Sequence, residues 1–441
     1  MKTIVHVIFT VASFLMFTAT HAAVENVISD SDINRKQYCL SIDCGGLRGI
    51  IPATILASIE KGTGATISEL FKSGITGTST GALIALGLAA RKSTDPTHAD
   101  YNTPLFTAEQ LVDFYLEHAG GIFKCWTPAN CCHNFPDGSE GKVSCVKQTV
   151  WGMLTCFGCF GCCYNCSGMC GPQYSNAYLK KELNDKFGNR KLRDVLVPVQ
   201  VVAYDTTTIS PRYFNTLNSP DVLMVDAALA SSAAPTFFSP YRFQLPGDRK
   251  VYYRCIDGGI FENNPTSSAL RFAVEIYRNN PEPQRQEAEI KDFKVISIGT
   301  GEAEVVTNFA SLSKAGKLGW ASKVVELSMS GTSKATHNNS DTLFGRRDDG
   351  KHYYRLGVNI PASLTEMDDP AIVETLHIKS KDIEKDEQFA KLIKELKERK
   401  VYIDDAPLVP EIASIFRSLR RGSRAPLMSP RNEVDETEER S

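Results

Sequence analysis

The 441-residue chain lacks a long hydrophobic run. Its most apolar stretch, Ile4 to Phe17, is shorter than the roughly 20 residues a bilayer-spanning helix needs, and no later segment reads as transmembrane. It also lacks an excess of either charge. Lys and Arg number 49 against 51 Asp and Glu, a net charge of −2, which argues against a nucleic-acid binder with a strong basic surface. There is no Walker loop, no His-Glu-x-x-His pair and no internal repeat, so nothing outside a cysteine cluster calls for a cofactor or metal. What remains is 42% hydrophobic and 23% charged, a balance that suits one large α/β domain or two smaller ones.

The first residues read as a processing signal. Met1-Lys2-Thr3 is a short basic start, the apolar stretch follows, and Thr18-Ala19-Thr20-His21-Ala22 ends in small residues suited to cleavage. A secretory signal peptide over 1–22 is expected, hence a secreted or other extracytoplasmic protein, with 23–36 as a linker.

Two glycine-rich turns carry candidate chemistry. Tyr38-Cys39-Leu40-Ser41-Ile42 is strand-like and Ile50 to Glu60 is a helix candidate. Asp43-Cys44-Gly45-Gly46-Leu47-Arg48-Gly49 therefore lies in a strand-to-helix turn, which can aim several backbone N–H groups at one anion. Its spacing does not match the Gly-x-Gly-x-x-Gly of a dinucleotide loop. Gly77-Thr78-Ser79-Thr80-Gly81 has the Gly-x-Ser-x-Gly pattern of a tight turn that lifts a serine Oγ clear of the backbone. Small neighbours are needed there because a Cβ would strike the adjoining strand and helix. Gly81 to Ala90 reads as a buried helix with its N-terminal amides and positive dipole end toward Ser79. Alone, this pattern also occurs in loops without catalytic meaning. A third segment, Asp257-Gly258-Gly259, follows another strand-like run. Ester hydrolysis through a covalent intermediate needs a nucleophile, a base and donors for an oxyanion, and the three segments contain all of them.

In that order the segments resemble the patatin-like phospholipase family, which pairs an Asp-Gly-Gly-Gly-x-Arg/Lys-Gly loop with a Gly-x-Ser-x-Gly turn and a later Asp-Gly-Gly/Ala. Ala227 to Phe238, Asp257 to Pro265 and Ser297 to Gly301 are similar in kind. The likeness spans about 37–302, with one insertion, and continues more faintly to about 400. Cys44 stands where the family usually has its first loop glycine. The resemblance implies an α/β fold, a three-layer sandwich with a mostly parallel central sheet and helices on both faces. It implies a lipid acyl hydrolase with Ser79 as nucleophile, Asp257 as base, Gly45 and Gly46 N–H groups as oxyanion donors, and Arg48 as a loop organiser or lipid-phosphate contact. The substrate would be a phospholipid or acylglycerol, with no nucleic acid and no cofactor. A carboxylate serving as base to a serine should have its pKa raised by partial burial. Two alternatives stay open: a lipid-binding or storage protein of the same fold, and a Ser-Asp-His hydrolase using His337, His352 or His377.

Ten of the 13 cysteines fall between Cys125 and Cys170, at 125, 131, 132, 145, 156, 159, 162, 163, 166 and 170. Dense cysteine in an exported chain points to disulfides. The spacing of Cys156, Cys159, Cys162 and Cys166 also fits an iron–sulfur site, but Ser167 follows in place of proline and no twin arginine marks export of a folded cluster. Relative to the family this segment is an insertion, 124–171. It is rich in Trp126, Trp151, Met153, Leu154, Phe157, Phe160, Tyr164 and Met169, which suits either a lid or membrane-docking surface, or a small disulfide core. Its flanks, Phe114 to Phe123 and Gly171 to Ser175, would lie close together. Cys39, Cys44 and Cys255 lie apart from the cluster and read as free thiols. A helical extension packed on the catalytic domain is expected over 303–419, including an amphipathic helix through Gln388 to Lys397. The charged 420–441 reads as a disordered tail.

Overall fold

A computed structural model describes residues 37–123, 172–245, 252–279, 288–302, 313, 317–347 and 350–404. The segments expected as a signal peptide (1–22), a linker (23–36), a cysteine-rich insertion (124–171) and a disordered tail (420–441) lie outside them. Eight strands form one sheet: β1 (Gln37–Ile42), β2 (Ile75–Thr78), β3 (Val199–Asp205), β4 (Ser210–Asn215), β5 (Tyr241–Gln244), β6 (Tyr252–Asp257), β7 (Phe293–Ile298) and β8 (Tyr353–Leu356). The spatial order is β8-β7-β1-β2-β3-β6-β5, with β4 also paired to β3. The first five of these run parallel, while β4, β5 and β6 add antiparallel pairs.

Both faces of the parallel part are covered. Strand side chains alternate between faces, and the buried residues divide accordingly. Tyr38, Leu40 and Ile42 of β1 join Ile296, Ile298, Tyr354 and Leu356 in one core. Cys39 joins Phe293, Val295 and Tyr353 in a second, against Leu270, Ala273 and Val274. Burial on both faces is why these strands read as continuous apolar runs rather than clean alternations.

The helices are α1 (Ile50–Thr63), α2 (Thr80–Ala89), α3 (Ala108–Ile122), α4 (Ala177–Phe187), α5 (Met224–Ser231), α6 (Thr266–Arg278), α7 (Lys317–Phe344), α8 (Val373–Ser380) and α9 (Glu387–Asp404), besides short single turns. Helix α6 lies on the Cys39 face, whereas α1, α3, α8 and α9 pack on the other. Thr107 caps α3 in a reciprocal box with Gln110. The extension past 302 is not wholly helical, because β8 belongs to the central sheet. Helix α9 buries Phe389, Leu392 and Leu396. Its Glu395 accepts hydrogen bonds from Tyr38 on β1, Lys294 on β7 and, at 2.6 Å, Tyr354 on β8, tying one helix to three strands.

The pairing of β3 sets up the site. β4 occupies one edge of β3 from Gln200 to Asp205. On the other edge β2 pairs with Val199 to Val202 and β6 with Ala203 to Asp205. β2 runs parallel to β3 and β6 antiparallel, so their C-terminal ends meet head to head. Thr78 stands opposite Val202 and Asp257 opposite Ala203.

Candidate active site

Ser79 follows directly on Thr78 and caps α2 with φ 55° and ψ −119°. A side chain other than glycine held at positive φ is strained backbone, tolerated where the surroundings impose it. Here they do. A Cβ on Gly77 would run into the Gly81 carbonyl, and one on Gly81 into the Ile42 carbonyl. The Ser79 N–H donates to Ser231 Oγ at 2.8 Å, and that hydroxyl donates to the Val202 carbonyl at 2.5 Å. Helix α5 thus braces the turn against β3.

Asp257 ends β6 and is 2% exposed. Its Oδ1 accepts the Gly259 N–H at 2.7 Å, while Oδ2 is buried with no hydrogen-bond partner among the described residues. Burial pushes its pKa from 3.8 up to about 6, against the opposing pull of the Ser79 hydroxyl and the Gly259 N–H. The rise expected for a carboxyl base is present, and its cause is desolvation.

The Asp43–Gly49 loop crosses the same place. Gly46 has φ +57°, and a Cβ there would meet the Met367 carbonyl. That carbonyl accepts the Leu47 N–H at 2.8 Å. Neither the Gly45 nor the Gly46 N–H is taken up by an acceptor among the described residues. Cys44, in the glycine position of the resemblance, is buried with its Sγ 4.0 Å from Asp257 Oδ1. Its carbonyl accepts the Thr300 hydroxyl at 2.7 Å. The loop accommodates the side chain by turning it toward Asp257. Cys39, Cys44 and Cys255 are all buried and free, as expected.

Ser79, Asp257, Gly46 and Cys44 line one cavity with an empty volume of about 730 Å³, part of it open to solvent. Its walls are apolar, with Leu47, Leu83, Phe123, Leu179, Phe237 and Met329 among them. Such a wall suits an alkyl chain and excludes water from the polar end. Gly45 lies between the lining residues Cys44 and Gly46 without being among them, and Arg48, half-buried on the Gly46–Gly49 turn, is not a lining residue either. The flanks of the insertion meet at this wall. The Phe123 and Tyr174 rings lie 5.2 Å apart, edge to face, and the Tyr174 N–H donates to the Phe237 carbonyl at 2.8 Å.

No described histidine lines the cavity. His337 bonds the Tyr353 hydroxyl, His352 the Phe293 carbonyl and His377 the Thr54 hydroxyl. The described residues contain no group of three or more potential metal ligands and no helix long and apolar enough to cross a membrane. The cysteine spacing that fits a cluster falls outside them.

Several participants have no sequence signal. Ser231 lies within a segment singled out above, but nothing marks its hydroxyl. Tyr115 lines the cavity and bonds Thr80, beside Ser79. Arg355 pairs bidentately with Asp43, 312 positions away. Helix α7 supplies Val325 and Met329 to the cavity, and the loop before α8 supplies Met367.

The family model "Patatin-like phospholipase" matches residues 40–270, more than half of the chain. Patatin-like protein 1 of Arabidopsis thaliana is 28% identical over 339 residues, 72% of this chain and 73% of that one. Patatin-like protein 2 of Oryza sativa subsp. indica is 32% identical over 282 residues, 59% of this chain and 60% of its own length. Patatin-T5 of Solanum tuberosum is 27% identical over 351 residues, 75% and 78% of the two chains. With the parallel sheet, the strained Ser79 turn and the buried Asp257 in view, the chain belongs to the patatin-like phospholipase family.

Proposed function

We propose that the protein hydrolyses carboxylic esters of phospholipids or acylglycerols through a Ser79 acyl-enzyme with Asp257 as the base. One observation supports the reading: β2 and β6 end head to head on β3, so that Ser79 and Asp257, whose buried Oδ2 has no hydrogen-bond partner among the described residues, line the same apolar cavity. Family membership supports lipid acyl hydrolysis in general.

In the proposed reaction Asp257 accepts the Ser79 hydroxyl proton as Oγ attacks the ester carbonyl. The Gly45 and Gly46 N–H groups, without an acceptor among the described residues, hold the oxyanion. The intermediate collapses, the ester C–O bond breaks, and the leaving alcohol takes the proton from Asp257. Water then attacks the acyl-enzyme while Asp257 accepts its proton; the bond between the acyl carbon and Ser79 Oγ breaks, Asp257 returns the proton to Oγ, and the carboxylic acid departs. The alkyl chain lies along the apolar wall. No histidine stands at this cavity among the described residues, which favours the two-residue arrangement over a Ser-Asp-His set.

Turnover of a chromogenic short-chain ester tests this. Ser79→Ala and Asp257→Asn are each expected to reduce kcat/KM by at least roughly a thousandfold with the fold retained. The double variant should lose little more, since the pair acts as a unit. Near-normal turnover by Asp257→Asn would refute the dyad, and Ser79-independent turnover would refute the acyl-enzyme.

Contact with a lipid surface through 124–171, and export directed by 1–22, are part of the same proposal and rest on sequence. Replacing Trp151, Phe157 and Phe160 with serine should depress vesicle hydrolysis much more than soluble-ester hydrolysis. Equal losses on both substrates would remove the membrane contact.

A further inference from the structure

Arg355 stands on β8, the edge strand of the parallel run and outside residues 40–270, and reaches back to the start of the glycine loop. Its Nη1 donates to Asp43 Oδ1 at 2.9 Å and its Nη2 to Asp43 Oδ2 at 2.6 Å. Nη1 also donates to Ser297 Oγ at 2.8 Å, and Ser333 Oγ on α7 donates to Asp43 Oδ2 at 3.2 Å. The carboxylate is 2% exposed and the guanidinium side chain 13%. The path between them is kept open at Gly299, where a Cβ would lie 2.7 Å from Arg355 Nη2. Asp43 is continuous with Cys44, Gly45 and Gly46, and its own N–H donates to the Ile298 carbonyl at 3.0 Å. The loop is therefore clamped at one end by Arg355 and at the other by the Met367 carbonyl on Leu47.

We propose that Arg355 is a positioning residue for turnover: by holding Asp43 in a buried two-point contact it sets the direction of the Gly45 and Gly46 N–H groups toward the ester oxygen. This rests on reading that loop as the oxyanion donor. The planar fork matters more than the charge, because one bonded point would leave Asp43 free to rotate and the glycines after it free to follow. Donors preorganised for an oxyanion act on the transition state and little on the bound substrate. A purely structural arginine would instead affect melting and leave the kcat of the folded fraction unchanged.

The variant to measure is Arg355→Lys, which keeps the charge and loses the fork. The expected result is a kcat lower by roughly tenfold to a hundredfold. KM for a soluble ester should stay within about twofold, and hydrogen exchange across 43–49 should be faster than in the wild type. Should Arg355→Lys not fold, Asp43→Asn/Arg355→Gln replaces the buried ion pair by a neutral pair, and the same expectations apply. Leu392→Ala, a core change remote from the cavity, serves as the stability control. Wild-type kcat in the folded variant overturns the proposal, as does a kcat loss equal to that of a control with matching loss of Tm. If the wild type shows no Ser79-dependent turnover, the hydrolase reading fails. The exchange measurement then decides alone, and unchanged exchange across 43–49 would show that Arg355 does not hold the loop.

Discussion

The Asp257 carboxyl is held asymmetrically: Oδ1 takes the Gly259 N–H, while Oδ2 is buried and has no hydrogen-bond partner among the described residues. An ionised carboxylate in that setting is costly, and burial raises its pKa to about 6. Two consequences follow from the direction of that shift. In the proposed role of base Asp257 must be deprotonated, so kcat/KM should rise with pH through about 6 and level off above it. For stability, the folded-state pKa lies above the unfolded value of 3.8. The contribution from binding a proton is therefore complete below about pH 3.8 and is lost as pH rises through about 6, roughly 3 kcal/mol in all. Asp257→Asn keeps an oxygen for the Gly259 N–H and carries no charge. It should melt higher than the wild type at pH 7, with the difference gone by about pH 4. Calorimetry across that range checks this, and a lower Tm for Asp257→Asn at pH 7 would show that the charge is not a burden. Ser79 and Asp257 were legible as residues because the glycines beside them are sterically obligatory, and such constraints are written locally. Arg355 was not, since any strand contains polar residues and only the folded distance distinguishes this one.

Among elements, the strands and helices that border the site were the most legible. The sequence predicts strand over Tyr38–Ile42 and helix from Ile50 and from Gly81, and the structure has β1, α1 and α2 there. These segments are apolar on nearly all sides because layers cover them from both directions. The predicted amphipathic helix near Gln388 is α9, whose Leu392 and Leu396 are fully buried and which packs against α1. Leu392→Ala should cost about 2–5 kcal/mol. Because no described residue of α9 lines the cavity, kcat/KM below the melting transition should stay near wild type. A loss of turnover in fully folded Leu392→Ala would mean that α9 communicates with the site. The strand β8 was less legible. Tyr353 to Val358 is apolar, but its pairing partner β7 lies beyond a long helix, and nothing local indicates that it joins the sheet.

For the whole molecule, the 40–270 match contains Ser79, Asp257 and the glycine loop, yet the candidate site is not closed within it. Met329 on α7, Arg355 on β8 and Met367 before α8 complete the cavity wall and clamp the loop. A boundary near 302 thus divides the sequence but not the folded unit. By itself the sequence determined the strand-to-helix turns and singled out Ser79, Asp257 and the loop glycines as candidates, through short-range sterics and local apolar pattern that neighbouring residues specify; the covered sheet and the family came through the resemblance those motifs carry. Only the tertiary structure decided that β2 and β6 share one edge of β3 and bring Ser79 to Asp257. It alone decided that the Asp257 carboxyl is desolvated on one side, that Cys44 turns toward it, and that Arg355 secures Asp43. These depend on pairing register and burial between segments far apart in the chain, and no local pattern encodes either.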